Sequence, residues 1–318
     1  MAQPALLLWI DEAGAYRDAI AAAGLADRLR ITTLPRGTTP DAAMLAETEA
    51  LLAWGAPPGL LARMPRLRWV QALTAGVEAW LARDDLRDSI TLTCARGTHR
   101  VAMPENILGA LFHLTKPYHA AALAQREHRW TRRVGVPLAG QTLGILGLGA
   151  IGQEVARKAA ALELRVIGTR RHEGPLPGVE QVFPPERTPE VLAQSDFVLL
   201  LLPVTPETTE IMDARRIAMM KPTAYLLNFG RGQLIVDADL VAAVRDRRIA
   251  GAVLDVFRQE PLPPEHPFWG TEGITVLPHI GGMHPTRDAL VAALLVENLR
   301  RFLDDRPLTA VVDRAAGY

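Results

Sequence analysis

The sequence predicts an α/β protein of two domains, each built on a parallel sheet. Three observations carry that prediction. The chain has 318 residues, a length that suggests two domains and is ample for a sizeable core. Short apolar runs alternate with helical patterns along most of it, which is how parallel sheets read. At 142–152 an apolar run meets glycines at Gly147, Gly149 and Gly152, and a helical pattern follows over 153–162.

Taken in order, residues 5–10 read as a buried strand and 16–23 as a helix ended by Gly24. Residues 30–34 form a second strand. Asp41 opens a helix as its N-cap, and 50–54 is a third strand. A short helix precedes Met64 and Pro65, 68–73 is a strand, and Thr74, Ala75 and Gly76 make a turn. A strand at 90–95 closes the first set. Helical patterns at 99–115 and 117–129 lead through a polar connection at 130–140 to the glycine segment, the first of them as the crossing between domains. Strands then fall at 164–169, 196–202, 224–228, 249–257 and 275–277, with helices at 189–194, 213–220 and 237–247 and a proline-rich loop after 169. A long amphipathic helix at 286–303, with Leu290, Leu294, Val296, Leu299 and Leu303 on its apolar positions, carries the tail back to the first domain. The expected domains are therefore 1–97 with 286–318, discontinuous, and 98–285.

Composition excludes several classes. Lys plus Arg and Asp plus Glu both number 35, so the formal net charge is zero and neither nucleic acid nor an anionic membrane surface is favoured as partner. The one cysteine, Cys94, rules out an intrachain disulfide and points to a reducing compartment. The longest apolar runs, such as 197–202, fall far short of a membrane span. No basic region precedes the apolar stretch at 6–10, so a secretory signal is not expected and a cytoplasmic location is.

A glycine triplet alone is also what ordinary loops contain. With a strand before and a helix after, it reads as a dinucleotide site. Gly147 allows the tight turn, Gly149 lets a pyrophosphate approach the backbone, and Gly152 packs the helix on the strand. The orphan N–H groups of the helix start then face phosphate. Preference for NAD places an acidic side chain at the end of the second strand, about twenty residues on. Here the strand ending at Thr169 runs into Arg170 and Arg171. Two guanidiniums there would clamp a 2′-phosphate, so NADP is preferred and NAD possible; the bland reading is a solvated basic turn. Glu173 is the only nearby carboxylate that argues for NAD.

Three later segments each hold polar residues at the end of an apolar strand, where an open α/β sheet places its ligand. They are NFGRG at 228–232, DVFRQEPLP at 255–263 and LPHIGG at 277–282. Singly, Arg231 is a surface turn residue, Glu260 a loop carboxylate and His279 a satisfied core histidine. Three such strand ends converging on one mouth point instead to a site.

Together these segments resemble the D-isomer-specific 2-hydroxyacid dehydrogenase family over nearly the whole chain, and within it the bacterial glyoxylate/hydroxypyruvate reductase branch. The runs that carry the resemblance are GLGAIG at 147–152, LPVTPET at 202–208, YLLNFGRG at 225–232, LDVFRQEPLPP at 254–264, PHIG at 278–281 and VDRAAGY at 312–318. The resemblance implies two Rossmann-like domains, a flavodoxin-like substrate domain and an NAD(P)-binding Rossmann domain, with an interdomain cleft that closes about a hinge when cofactor binds. It puts Arg231, Glu260 and His279 on the catalytic positions: His279 as acid/base, Glu260 as its partner, Arg231 as substrate anchor and carbonyl polariser. The chemistry suits them, because a guanidinium can bridge a carboxylate and an adjacent carbonyl, and an imidazole exchanges protons near neutral pH. By the same resemblance the backbone N–H groups of Ala75 and Gly76 bind the substrate carboxylate; an ordinary tight turn is the bland alternative. Asp255 contacts the nicotinamide carboxamide, or else caps its own loop. Gly147, Gly149, Ala150, Ile151, Gly152, Thr169, Arg170, Arg171, Leu202, Pro203, Thr208 and Gly281 complete the cofactor side.

The implied reaction is reduction of glyoxylate or hydroxypyruvate by NADPH to the D-2-hydroxy acid, in a homodimer joined through helices near 100–130, with no metal. The alternatives are an NAD-dependent dehydrogenase of another 2-hydroxy acid and a cofactor-sensing binding protein on the same fold. The chain ends soon after its last helix, so an added regulatory domain is not expected. Two departures bear on the pocket. After Gly282, Met283 and His284 stand where small residues and a threonine are usual, near the nicotinamide mouth, and Phe229 is bulkier than the usual choice, narrowing the pocket. Trp54, Trp80, Trp130 and Trp269 read as pocket walls or, more commonly for large aromatics, as core or interface.

Overall fold

The computed structural model describes residues 3–172 and 174–317; Glu173 and Tyr318, both used above, lie outside the described residues. The chain divides into two compact units, one built from residues up to Thr98 and from His284 onward, the other from His99–Met283.

In the first unit, β1 (Ala5–Trp9), α1 (Gly14–Ala22), β2 (Arg30–Leu34), α2 (Ala42–Glu47), β3 (Thr48–Ala53), β4 (Trp69–Ala72), α3 (Glu78–Leu81) and β5 (Thr91–Thr93) follow one another. Every strand pair is parallel and the sheet order is β2-β1-β3-β4-β5, a doubly wound arrangement with its switch point beside β1. Such a sheet is covered on both faces, which is why β1 is apolar at every position. Period-two alternation divides it: Leu6, Leu8 and Ile10 enter one core with Tyr16 and Ile20, while Leu7 and Trp9 enter the other with Leu51 and Trp80. Asp41 caps α2 by accepting from the Met44 N–H at 2.7 Å.

The second unit contains α4 (Ala102–Thr115), α5 (Tyr118–Arg126), β6 (Thr142–Leu146), α6 (Ala150–Ala161), β7 (Arg165–Thr169), β8 (Gln181–Phe183), α7 (Thr188–Gln194), β9 (Phe197–Leu200), α8 (Ala214–Ile217), β10 (Tyr225–Asn228), α9 (Asp237–Arg245), β11 (Gly251–Leu254) and β12 (Ile274–Val276). Its parallel sheet runs β12-β11-β10-β9-β6-β7-β8, so the chain reverses direction across the sheet between β6 and β9. All its strands point the same way, and the loops after β12, β11, β10, β9, β6 and β7 therefore emerge along one edge in that order.

The tail returns to the first unit through α10 (Arg287–Leu303), which packs on α1. Its buried face overlaps the expected one at Val296 and Leu299, both buried, and differs from it elsewhere. Val291, Leu295, Leu299 and Phe302 point into the core, whereas Leu290 is exposed and Leu294 and Leu303 only half-buried. Asn298 sits in that buried face because its side chain bonds Gln71 at 3.2 Å and both the N–H and carbonyl of Thr309. Beyond it, Val311 bridges Thr93 antiparallel, so the tail extends the sheet past β5. The other differences are local. β8 lies in the stretch expected to be a proline-rich loop, and the helix expected at 99–115 begins at Ala102.

Candidate active site

The three glycines of the turn after β6 have different settings. Gly147 has φ +110°, and a Cβ there would stand 2.8 Å from the Leu201 carbonyl oxygen. A Cβ on Gly152 would meet the Gly147 oxygen at 2.4 Å, so α6 lies against the turn with no room for a side chain. Gly149, the N-cap of α6, is the opposite case: a Cβ there would meet nothing within 4 Å. An open cradle thus sits over the helix start, where Ala150, Ile151 and Gly152 have no intrahelical acceptor for their N–H groups. That shape and polarity fit a pyrophosphate. Two substitutions separate fold from ligand here. Gly152→Ala should cost roughly 1–3 kcal/mol in a denaturant melt. Gly149→Ala should melt like the parent yet bind dinucleotide far more weakly by fluorescence titration; intact binding would remove the cradle.

At the tip of β7, Thr169 is buried and its carbonyl accepts from Leu148 N–H at 3.0 Å, joining the glycine turn to the second strand. Arg170 is half-buried and its N–H bonds the Phe183 carbonyl, so the unexpected strand β8 fixes where that arginine begins. Arg171 is exposed and lies near Glu207, whose carboxyl is held below its usual range chiefly by the Thr205 hydroxyl and further by its own N–H and Arg171. After β9, Leu202 and Pro203 are half-buried. The Thr208 hydroxyl is engaged inside its own loop, donating to the Pro203 carbonyl at 2.6 Å and accepting from the Thr205 N–H at 2.8 Å.

The loops after β10, β11 and β12 bring Arg231, Glu260 and His279 to the same edge. Asn228, fully buried at the end of β10, holds both sides of the Arg231 turn: its Oδ1 accepts from the Gly230 N–H and its Nδ2 donates to the Arg231 carbonyl at 2.8 Å. The Arg231 guanidinium donates to the Gly230 carbonyl at 2.7 Å. A Cβ on Gly232 would fall 2.0 Å from the Phe257 carbonyl carbon, so the Arg231 turn and the loop after β11 touch backbone to backbone.

Glu260 divides its carboxylate between two tasks. Oε1 accepts from the Phe257 N–H at 2.9 Å, and Oε2 lies 2.6 Å from Nδ1 of His279. An ionised carboxylate only accepts, so Nδ1 carries the proton of that bond and Nε2 is left for a ligand. His279 itself occupies the left-handed region, φ +52°. Asp255 explains how that turn is held. It is 1% exposed, and its two oxygens take the N–H groups of Ile280 and Gly281 at 2.8 and 2.9 Å. Burial pushes the Asp255 carboxyl up, and those two backbone bonds pull it back. Asn106, on α4, closes the far side by donating to the Gly281 carbonyl at 2.9 Å. The sequence pattern gave Asn228 and Asn106 no role; a polar residue ending or interrupting an apolar run was the available signal.

The pocket narrowed by Phe229 needs correcting, and the other singled-out residues fall as follows. Phe229 is buried in the core beneath Gly281, whose Cβ would come 2.8 Å from its ring, so it packs the turn from below. Both ring nitrogens of His284 are occupied: a carbonyl can only accept, so Nε2 donates to Thr98 at 3.2 Å and Nδ1 faces the Thr286 hydroxyl at 3.1 Å. Met283 is exposed. Trp80 is core of the first unit; Trp130 and Trp269 are exposed; Trp54 stands at the surface of the first unit beneath the Arg287 guanidinium, 4.2 Å away. Ala75 and Gly76 belong to that unit too, in the turn after β4, where the Thr74 hydroxyl donates to the Gly76 carbonyl at 2.6 Å. No group of residues suited to a metal ion occurs among the described residues.

A glycine cradle at the switch point of a parallel sheet, with a carboxylate-backed imidazole farther along the same edge, defines a dinucleotide-dependent oxidoreductase. Comparison with known proteins gives the family. Residues 108–281 match the model of the D-isomer specific 2-hydroxyacid dehydrogenase NAD binding domain. Glyoxylate/hydroxypyruvate reductase A of Serratia proteamaculans is 32% identical over 273 residues, 84% of this chain and 87% of that one. A D-isomer specific 2-hydroxyacid dehydrogenase from Xanthobacter autotrophicus Py2, solved with NADPH and MES, is 33% identical with a TM-score of 0.88 over 100% of both chains. The NADPH-dependent glyoxylate/hydroxypyruvate reductase of Sinorhizobium meliloti, solved with NADP and sulfate, is 29% identical with a TM-score of 0.85, covering 99% of this chain and 100% of that one. The chain belongs to the D-isomer specific 2-hydroxyacid dehydrogenase family.

Proposed function

We propose that the protein reduces a small 2-keto acid, glyoxylate or hydroxypyruvate, to the 2-hydroxy acid with NADPH, giving the D-isomer where a stereocentre exists. The observation that carries this reading is the 2.6 Å bond between Glu260 and His279, set on the same sheet edge as the glycine cradle. The reductases among its relatives support the substrate class.

In this reading the unit containing the cradle holds the cofactor, and the backbone N–H groups of Ala75 and Gly76 bind the substrate carboxylate. Gly147, Gly149, Ala150, Ile151 and Gly152 receive the pyrophosphate, with Leu202, Pro203, Thr208, Asp255 and Gly281 along the rest of the cofactor. Bound NADPH supplies the hydride. Arg231 lies beside the substrate carboxylate and carbonyl, orienting the keto acid and drawing charge onto the carbonyl oxygen. His279 gives that oxygen a proton from Nε2, and Glu260, bonded to Nδ1, fixes the ring and balances the imidazolium charge. Asp255 serves the same step from behind by fixing the turn that carries His279.

A panel of 2-keto acids offered with NADPH and with NADH, followed at the absorbance of the reduced nicotinamide, tests the reading. Oxidation of NADPH by glyoxylate or hydroxypyruvate supports it, and no turnover with any keto acid overturns it. Arg170→Asp should weaken NADPH by roughly 10- to 100-fold, the worth of one charge-assisted hydrogen bond, and leave NADH little changed. Equal loss of both would remove the 2′-phosphate assignment.

We also infer a homodimer through the helices near residues 100–130. Tyr118, Leu123, Trp130 and Val134 leave large apolar surface open on α5 and the segment after it, with Trp130 89% exposed. A single-chain mass in sedimentation at micromolar concentration would overturn this. We place the protein in the reducing cytoplasm on the ground that its sequence holds a single cysteine, Cys94. Among the described residues, no helix is long and apolar enough to cross a membrane.

A further inference from the structure

Arg258 lies two residues before Glu260, in the loop after β11, and its guanidinium reaches away from that loop. Its Nε donates to the carbonyl of Ile235 at 3.1 Å, and Nη2 donates to the same oxygen. Ile235 ends the short 3-10 turn Gly232–Leu234, and the residue that caps the start of that turn is Arg231. One side chain therefore grips the far end of the turn whose near end is the proposed substrate anchor. Flanking carboxylates hold it in place: Glu210 at 3.0 Å and Asp237 at 3.6 Å. Asp237 is fixed in turn by His266 at 3.4 Å, whose Nδ1 accepts from the Phe268 N–H.

An exposed ion pair by itself is worth about 0–1 kcal/mol and positions little. Arg258 differs in its acceptor. The Ile235 carbonyl belongs to a turn that already touches Phe257 and Arg258 backbone to backbone through Gly232, with no side chain between to absorb a shift. The same loop gives the Phe257 N–H to Glu260 Oε1, and Glu260 Oε2 holds His279. A displacement of the loop after β11 would thus reach the imidazole through two hydrogen bonds. We propose that Arg258 is a positioning residue that clamps the Arg231 turn to the Glu260 loop, and so sets the Glu260–His279 geometry. The inference rests on the reaction proposed above for these three residues.

Two readouts keep the clamp separate from that reaction. The first needs no substrate: the proton shared by His279 Nδ1 and Glu260 should give a downfield ¹H resonance, assigned by its loss in His279→Gln. In Arg258→Met this resonance should move upfield or broaden, while the melting temperature and NADPH affinity stay near the parent's. The second is kinetic. kcat should fall by roughly tenfold or more, as expected for a misplacement of less than an ångström, and Arg258→Lys, which keeps a donor toward Ile235, should recover part of the loss. An unchanged resonance with parent-like kcat would overturn the clamp. So would a loss that merely tracks a lowered melting temperature without rescue by lysine. Absence of keto-acid turnover in the parent protein, with the resonance still responding to Arg258→Met, would instead sink the proposed reaction and leave the clamp standing.

Discussion

Replacing His279 by alanine should lower kcat by about 10²–10⁴-fold, the usual contribution of a positioned proton donor, with NADPH affinity unchanged. The two effects separate because the imidazole and the glycine cradle stand on different strands: His279 follows β12, whereas Gly149 follows β6, with β9, β10 and β11 between. Folding should survive, since the side chain is about half exposed and enters none of the apolar cores. The backbone at His279 is left-handed in the parent too, and histidine and alanine both carry a Cβ there, so the exchange adds little strain. Stopped-flow mixing of NADPH-loaded protein with glyoxylate reads the step directly. A transfer rate equal to the parent's would remove His279 from the chemistry.

Arg231→Ala should raise KM for the keto acid and lower kcat together, with kcat/KM down by about 10²–10⁴-fold if two charge-assisted hydrogen bonds of roughly 1.5–3 kcal/mol are lost. Lysine should not restore it, because a single ammonium cannot span a carboxylate and a carbonyl as a planar guanidinium does. The surrounding turn should hold in either variant. Asn228 grips its carbonyl and its neighbour's N–H, and Gly232 seats it against the next loop, all through backbone atoms that the substitution leaves in place. Initial-rate kinetics over a range of keto-acid concentrations decide it, and an unaffected KM would take Arg231 out of the pocket.

Much of the architecture was legible because it rests on local signals. A strand buried on both faces must be apolar throughout, and a glycine that no side chain could replace stands out between strand and helix. The positions that escaped are those set by partners distant in the chain. The buried face of α10 is centred on Val291, Leu295 and Phe302 because α1 and the sheet meet it from that side; Leu290 and Leu294 fit the helical period equally well, and the sequence does not say which stripe the core selects. β8 is three residues long at the sheet's edge, too short for alternation to show against its prolines. Phe229 looked like a pocket wall because its bulk was visible and its direction was not. In the site, residue types pointed to Arg231, Glu260 and His279, but the supports could not be read. Asp255 meets the Ile280 and Gly281 N–H groups across 25 and 26 residues, and Arg258 meets Ile235 across 23.

The order of loops along the second unit's sheet also works as a gauge. Strands lie about 4.8 Å apart, so β10 is roughly 10 Å and β12 roughly 19 Å from β6. A molecule seated by its phosphates at the glycines would have to extend about that far along the row to bring its far end to the loops that carry the guanidinium and the imidazole. Fragments truncated at the pyrophosphate would occupy the cradle, displace the coenzyme and leave the reducing end of the row empty, which makes them competitors for NADPH rather than substitutes for it.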